Sequence, residues 1–300
     1  MSTETISARY VDLDLWTTQE AVSAMLEGQL AAAAAVQSQL SAIARAADEA
    51  AGRLSDPAGR LVYVGAGTSG RIAVQDGVEL GPTFGWPGAR VLFHLAGGMD
   101  ALTTSVEGAE DDAAAGETAM RDSALASSDV VVGVAASGTT AYTVAAVRAA
   151  AAAGALTIGL AGNPGAALLR AAAHPILLDT GAEVVAGSTR MKAGTAQKIA
   201  LNLFSTAVML RLGKICEGRM VSMKVSNVKL RARAIAMISD IAAVERRVAE
   251  AALDRADGEI KLAVLIASGR TPEQASALLS AADGNLRTAL RQAGSSAPAR

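Results

Sequence analysis

The sequence predicts an α/β fold: a doubly wound, five-stranded parallel sheet with helical flanks at both ends. Three observations carry that prediction. Short apolar runs rich in β-branched residues occur at 61–64, 91–95, 130–134, 156–160 and 175–178, without polar alternation. Stretches of helical pattern separate or follow them, at 71–80, 99–107, 113–126, 142–153 and 166–172. Turns rich in glycine and hydroxyls follow the first and third runs. An unbroken apolar run is the pattern of a strand buried on both faces, and parallel strands need a crossover between them. In such a sheet ligands bind beyond the carboxyl ends of the strands, where the connections diverge.

The flanks divide the chain further. Residues 1–55 form an N-terminal helical segment, rich in alanine and leucine, of one or two long helices. Thr17-Thr18-Gln19-Glu20 has the hydroxyl-to-glutamate spacing of a capping box, which marks a helix start. Residues 56–215 hold the sheet, and 216–300 form a C-terminal helical region. Long helical patterns cover 193–212 and 227–251, followed by shorter ones at 259–268, 271–281 and 284–293. Thr271-Pro272-Glu273 places a hydroxyl cap before a proline in the first turn. This tail fits either a small three-helix bundle of the ubiquitin-associated type or a helical cap on the α/β domain.

Composition excludes several functions. With 51% hydrophobic and 19% charged residues, the 300-residue chain has ample material for a buried core. A formal net charge of −2 and 3% aromatic residues supply neither the basic surface nor the stacking platforms of a nucleic-acid binder. No nucleic-acid partner is expected. Cys216 is the only cysteine, so an intrachain disulfide is impossible, which suits a reducing cytoplasm. It reads as a small, partly buried residue. His94 and His174 fall on separate strands, so no metal site is expected. The first residues lack the pattern of a secretion signal, and the alanine-rich run at 30–36 is too short to cross a bilayer. The expectation is a cytoplasmic protein without a membrane partner.

The first turn, Gly65-Ala66-Gly67-Thr68-Ser69-Gly70, has the letters of a dinucleotide fingerprint, G-x-G-x-x-G. That fingerprint also requires an acid at the end of the second strand to hold a ribose. Here the second strand runs into Ala96-Gly97-Gly98, and Thr68 and Ser69 add hydroxyls that a dinucleotide does not need. A compact phosphate fits better, held by backbone N–H groups and a helix N-terminus; a purely structural glycine turn is the alternative. The third strand ends in Ser137-Gly138-Thr139-Thr140, a second turn of the same chemistry. Together the two turns point to a small phosphate ester such as a sugar phosphate.

Three glutamates lie nearby in sequence. Glu79 closes the helix that starts at the first turn, and Glu107 and Glu110 sit in Val106-Glu107-Gly108-Ala109-Glu110-Asp111. Taken alone, each reads most simply as a solvated surface residue. From Gly70 to Glu79 is about 13 Å of helix. For Glu79 to reach a ligand at the turn, the helix must break early, the substrate must be extended, or the residue must serve a neighbouring subunit. The segment 181–198, GAEVVAGSTRMKAGTAQK, is dense in small and polar residues. Within it Arg190 and Lys192 can meet substrate anions, and Gly187 and Ser188 permit close backbone approach. A tight structural turn explains the same letters.

Taken in order and spacing, GAGTSGR, VEGAED, ASGTT and GAEVVAGSTRMKAGTAQK resemble the N-acetylmuramic acid 6-phosphate etherases. These belong to the sugar isomerase (SIS) domain group, with its flavodoxin-like sheet, and are related to the glucokinase regulatory protein. The resemblance runs from about Leu61 to Lys198. It implies cleavage of the D-lactyl ether of N-acetylmuramic acid 6-phosphate to N-acetylglucosamine 6-phosphate and D-lactate, in the recycling of cell-wall amino sugars. It implies that Glu79, in Asp76-Gly77-Val78-Glu79, gives a proton to the departing lactate and that Glu110 takes the C2 proton. Gly67, Thr68, Ser69, Ser137, Gly138, Thr139 and Thr140 would hold the phosphate, with Ser188, Arg190 and Lys192 as further substrate contacts. No metal or redox cofactor is implied, and a homodimer is, with 193–212 and 227–251 as candidate interface helices. The chain departs from the family pattern at Gly77, usually alanine, and at Gly81. It also departs in the second loop, where Ser137-Gly138-Thr139-Thr140-Ala141 replaces S-G-R-T-P, and it lacks the N-terminal N-P-x-S and acidic-Val-Pro patterns. Two other readings use the same features: aldose–ketose isomerisation of a sugar phosphate, and a non-catalytic sugar-phosphate sensor.

Overall fold

The computed structural model describes residues 2–294. Helix α1 (Thr18–Gln37) starts at the capping box that the sequence spells: the Thr17 hydroxyl accepts from the Glu20 N–H, and the Glu20 carboxylate accepts from the Thr17 N–H at 2.9 Å. A short turn leads into α2 (Leu40–Leu54), which buries Ile43, Ala46, Ala47, Ala50 and Leu54. The chain then alternates: β1 (Leu61–Gly65), α3 (Gly67–Val78), α4 (Leu80–Phe84), β2 (Val91–Leu95), α5 (Ala113–Asp122), β3 (Val130–Val134), α6 (Ala141–Ala152), β4 (Leu156–Ala161), α7 (Ala167–Ala171), β5 (His174–Leu177) and α8 (Lys192–Arg211). The five strands form one parallel sheet in the order β2-β1-β3-β4-β5. This is the predicted doubly wound α/β architecture. Every residue of β1 and β3 is buried, as their unbroken apolar letters require.

The helical prediction fails over 99–107. Only a single 3-10 turn, Met99–Leu102, forms there. Gly97, Gly98 and Gly108 bracket the segment with φ of 84°, 78° and 73°. The Thr103-Thr104-Ser105 run between them competes for backbone hydrogen bonds and favours turns over helix.

The described residues form two compact units. The first holds the residues up to Gly77 together with Ala89–Val208, and the second holds Val78–Gly88 together with the residues from Met209 on. Helices α1 and α2 therefore belong to the same unit as the sheet, and the division falls inside α8. The second unit contains α4, α9 (Val228–Ala242), α10 (Arg246–Arg255), α11 (Ile260–Ala267), α12 (Pro272–Ala281) and α13 (Leu286–Gln292). Its core brings Ile235 and Ile238 of α9, Leu253 of α10, Val264 and Leu265 of α11, Ala275 of α12 and Leu286 and Leu290 of α13 into one cluster with Cys216. The single helix predicted over 227–251 is thus two helices. Ala243 takes a left-handed conformation at φ 52°, and the chain restarts after Glu245. Folding α10 back buries Ala249, Ala252 and Leu253, and that burial outweighs the local preference for one continuous helix. No helix among the described residues is long and apolar enough to cross a membrane.

Two buried polar groups anchor the first unit. Asp129, just before β3, accepts hydrogen bonds from the Arg60 backbone N–H (2.8 Å), the Arg60 guanidinium (3.1 and 2.6 Å) and the Ala126 N–H (2.9 Å). Arg60 directly precedes β1, so this clamp ties the starts of the two central strands. Asp76 of α3 accepts from the Tyr63 hydroxyl of β1 (2.9 Å) and from Ser205 of α8 (3.2 Å). Burial, and the Asp76 carboxylate beside it, hold the Tyr63 phenol well above its ordinary pKa, so it stays a donor.

Gly77 explains one departure from the family pattern. A Cβ added there would lie 2.4 Å from Cε1 of Phe93 and 2.9 Å from Tyr63, whose rings stack 6.0 Å apart. Gly77→Ala is therefore expected to lower the thermal midpoint by several degrees. The helix-propensity gain of about 1 kcal/mol is outweighed by an overpacking cost of about 1–3 kcal/mol. Gly77→Ala combined with Phe93→Leu should recover the loss, and differential scanning calorimetry of the three proteins would show whether it does.

Candidate active site

The order β2-β1-β3-β4-β5 sends the connection after β1 towards one edge of the sheet and the connection after β3 towards the other. The two turns at their carboxyl ends therefore flank the switch point. At the first turn, Gly65 and Gly70 meet back to back: a Cβ on Gly65 would lie 2.9 Å from the Gly70 Cα. This approach seats the N-terminus of α3 directly on the end of β1. Gly67 turns the chain at φ 50°, and Ser69 is buried behind it. At the second turn the Thr139 N–H and hydroxyl both donate to Ser137 Oγ, at 3.2 Å. The Thr140 side chain makes no cap hydrogen bond at the start of α6.

These turns share one cavity of ≈ 340 Å³. Of the residues singled out from the sequence, Gly67, Thr68, Ser69, Ser137, Thr139, Thr140 and Glu110 line it. The N-termini of α3 and α6, each a helix of 12 residues, open beside it. Backbone N–H groups, hydroxyls and two helix dipoles make a site for a compact anion. An adjoining cavity of ≈ 220 Å³ shares Ala66, Gly67 and Glu110 with the first and is also lined by Glu107 and Arg71. The Arg71 guanidinium donates through Nε to the Ala101 carbonyl at 2.9 Å, which fixes its plane. Among the described residues, Arg71 is the one cation lining either cavity.

Gly138, Ser188, Arg190, Lys192 and Glu79 are not among the lining residues. Glu79 is exposed and directly follows α3, which runs unbroken from Gly67 to Val78, so the helix does not break before it reaches this residue. Within 181–198 the tight-turn geometry is extensive. The buried Glu183 carboxylate accepts from the Lys192 and Ala193 N–H groups at 3.1 and 2.9 Å, capping α8. Met191 N–H donates to the Ser188 carbonyl, and Gly194 N–H to that of Thr189. This packing delivers Thr189, rather than its charged neighbours, to the cavity wall.

Glu4, Asp111 and Thr189 of the first cavity, and Arg71 of the second, were not singled out from the sequence. Glu4 arrives through tertiary structure that no local pattern shows. The buried Thr3 hydroxyl accepts from Asn163 Nδ2 at 3.3 Å, and that same amide donates to the Ser137 carbonyl at 3.0 Å. The Thr3 carbonyl also accepts from Gly187 N–H. The two histidines serve the fold. His94 lies 2.9 Å from the Ser123 hydroxyl, with burial pushing its pKa down, and His174 pairs with Glu49 at 2.8 Å.

Comparison with known proteins bears on the fold and the family. Residues 42–151 match the N-terminal SIS domain of the glucokinase regulatory protein, and residues 109–207 match the SIS domain. A solved structure from Bacteroides fragilis, described as a candidate phosphosugar isomerase involved in capsule formation, shares the fold. It covers 67% of this chain and 95% of its own, at a TM-score of 0.50 and 20% identity. The N-acetylmuramic acid 6-phosphate etherase of Deinococcus radiodurans is 46% identical over 96% of this chain and 94% of its own length. The etherases of Rubrobacter xylanophilus and Halalkalibacterium halodurans are 45% and 43% identical, over 96% and 97% of this chain. The chain belongs to the N-acetylmuramic acid 6-phosphate etherase family.

Proposed function

We propose that this protein cleaves the D-lactyl ether of N-acetylmuramic acid 6-phosphate, in the cytoplasm and as a homodimer. The observation that carries the reading is the placement of Glu110 on the wall of the same cavity as the two hydroxyl turns. In this reading Thr68, Ser69, Ser137, Thr139 and Thr140 hold the phosphate, helped by the N-termini of α3 and α6. Ring opening exposes an aldehyde at C1 and acidifies the C2 proton. The Glu110 carboxylate removes that proton, the electron pair forms the C2=C3 bond, and the C3–O bond breaks. Glu79 supplies the proton to the departing lactate oxygen. Water then adds its oxygen to C3 and a proton returns to C2, which gives N-acetylglucosamine 6-phosphate. A base and an acid in opposite protonation states suffice for each step. The dimer is supported by the exposed Val22, Leu26 and Leu30, which recur at helical spacing on α1 and form an apolar stripe suited to a second copy.

The test is release of D-lactate from N-acetylmuramic acid 6-phosphate by the purified chain in ¹⁸O-labelled water. Lactate should appear with the label at C3 of the sugar. Release of no lactate would sink the reading, and conversion of a sugar phosphate to its keto isomer would replace it with isomerisation.

The adjoining cavity gives the lactyl carboxylate a place. Arg71 and Glu110 both line it, and a charge-assisted hydrogen bond contributes about 1.5–3 kcal/mol. Arg71→Gln is expected to raise KM for the lactyl ether by about 10–100-fold. Affinity for N-acetylglucosamine 6-phosphate, which lacks the lactyl group, should stay unchanged. Equal weakening of both ligands would place Arg71 on the phosphate instead.

A further inference from the structure

The cavity between the two hydroxyl turns contains a carboxylate that none of the steps above uses. Glu4 is part of its wall, carried there by the 3-10 turn Ser2–Glu4. The residue before it fixes that turn. Thr3 is wholly buried, its hydroxyl accepts from Asn163 Nδ2, and its carbonyl accepts from Gly187 N–H at 3.3 Å. Glu4 lies against Gly187, where an added Cβ would stand 3.0 Å from Glu4 Oε2. The arm is thus anchored, while no hydrogen bond or ion pair within the described residues engages the Glu4 carboxylate. No lysine or arginine among them lines this cavity, and no three acids or histidines among them converge to hold a metal ion. A phosphate placed against Glu4 would be repelled, and a carboxylate that a ligand shields from water is costly unless a donor meets it. The group that approaches Glu4 is therefore a neutral donor on the ligand, close to the phosphate.

On the etherase reading, which this step requires, the substrate is ordered along the two cavities. The phosphate on C6 sits in the cavity that Glu4 lines. The lactyl ether on C3 leads to Arg71 in the adjoining cavity, which Glu4 does not line. Between them stand C5 and C4. In the closed ring C5 carries the ring oxygen, so C4 bears the one free hydroxyl on that stretch. We propose that Glu4 is a specificity-determining residue whose carboxylate accepts a hydrogen bond from the C4 hydroxyl of the amino-sugar phosphate. A sugar whose O4 is capped by a further sugar has no such donor and is refused.

Binding of N-acetylglucosamine 6-phosphate and of its 4-deoxy analogue to the full chain, measured by calorimetry, tests this without turnover. The wild type should bind the 4-deoxy ligand about 10–100-fold more weakly, the usual contribution of a hydrogen bond to a charged group. Glu4→Ala should weaken the parent ligand by a similar factor and leave the 4-deoxy ligand within about twofold, so the two losses do not add. Glu4 is exposed, so the variant should melt as the wild type does. The proposal is overturned if the wild type binds both ligands alike or if neither binds. It is also overturned if Glu4→Ala weakens both equally, as a purely structural arm would. Lactate release is scored separately. A chain that separates the two ligands through Glu4 but releases no lactate keeps this contact and loses the etherase reading. One that releases lactate and binds both ligands alike keeps that reading and loses the contact.

Discussion

Glu110→Gln is expected to lower kcat for lactate release by about 10²–10⁴-fold, the usual contribution of a positioned general base. KM should change little, because the phosphate contacts lie on other residues. Glu110 sits in a 3-10 turn, Ala109–Asp111, and is exposed, so its replacement should leave the thermal midpoint unmoved. That separation of rate from stability is the readout, taken from steady-state kinetics and a melting curve on the same preparation. The adjacent Asp111 lines the same cavity and provides the control. If Asp111→Asn removes turnover and Glu110→Gln does not, the base is one residue further on. Glu79→Gln should lose turnover in the same way if Glu79 is the proton donor, and intact activity in that variant would end its assignment.

Asp129→Ala is expected to destabilise the fold by about 3 kcal/mol. The carboxylate is fully buried and accepts four hydrogen bonds, so truncation strands the Arg60 donors and the Ala126 N–H. Burial by itself raises the Asp129 pKa, but the Arg60 hydrogen bond, the Ala126 and Arg60 N–H groups and the Arg60 charge together outweigh it. The net position is below the ordinary 3.8. A carboxyl depressed in the folded state contributes stability that is present above its unfolded pKa and lost as pH falls through the folded one. The gap between wild type and variant in urea melts should therefore be full near neutrality and shrink below about pH 4. A gap that stays constant into acid would show that cavity formation, rather than charge, dominates the loss.

Much of this was legible in the sequence, for identifiable reasons. The strands were readable because each is a largely apolar run, fully buried in β1, β3 and β4 and partly buried in the edge strands β2 and β5, and the hydroxyl turns were readable because they directly follow β1 and β3. Ser69 and Ser137 converge because the strand order places those turns side by side, and Glu110 joins them from the 3-10 turn that follows β2. The misses lie where distant chain segments decide. Ala243 breaks a helix because the core formed by α9, α10 and α11 rewards a turn that the local letters do not announce. Glu4 reaches the cavity because Thr3 beside it is held by Asn163 and Gly187, partners far away in sequence. Thr189, followed by the more conspicuous Arg190 and Lys192, reaches the wall because Glu183 fixes the loop around it. A charged letter in a motif marks chemistry less surely than the hydrogen bonds that aim it.

Cys216 has a practical consequence. It is the chain's only cysteine, it is buried, and burial pushes its thiol above the ordinary value, so little thiolate is available to alkylating reagents. The natural chain is therefore a nearly silent background for maleimide labelling. A single cysteine introduced on an exposed residue, such as Val185 beside the turn or Val228 at the start of α9, would carry a fluorophore alone. Ligand-dependent changes in either unit could then be followed separately, with no native thiol to remove first.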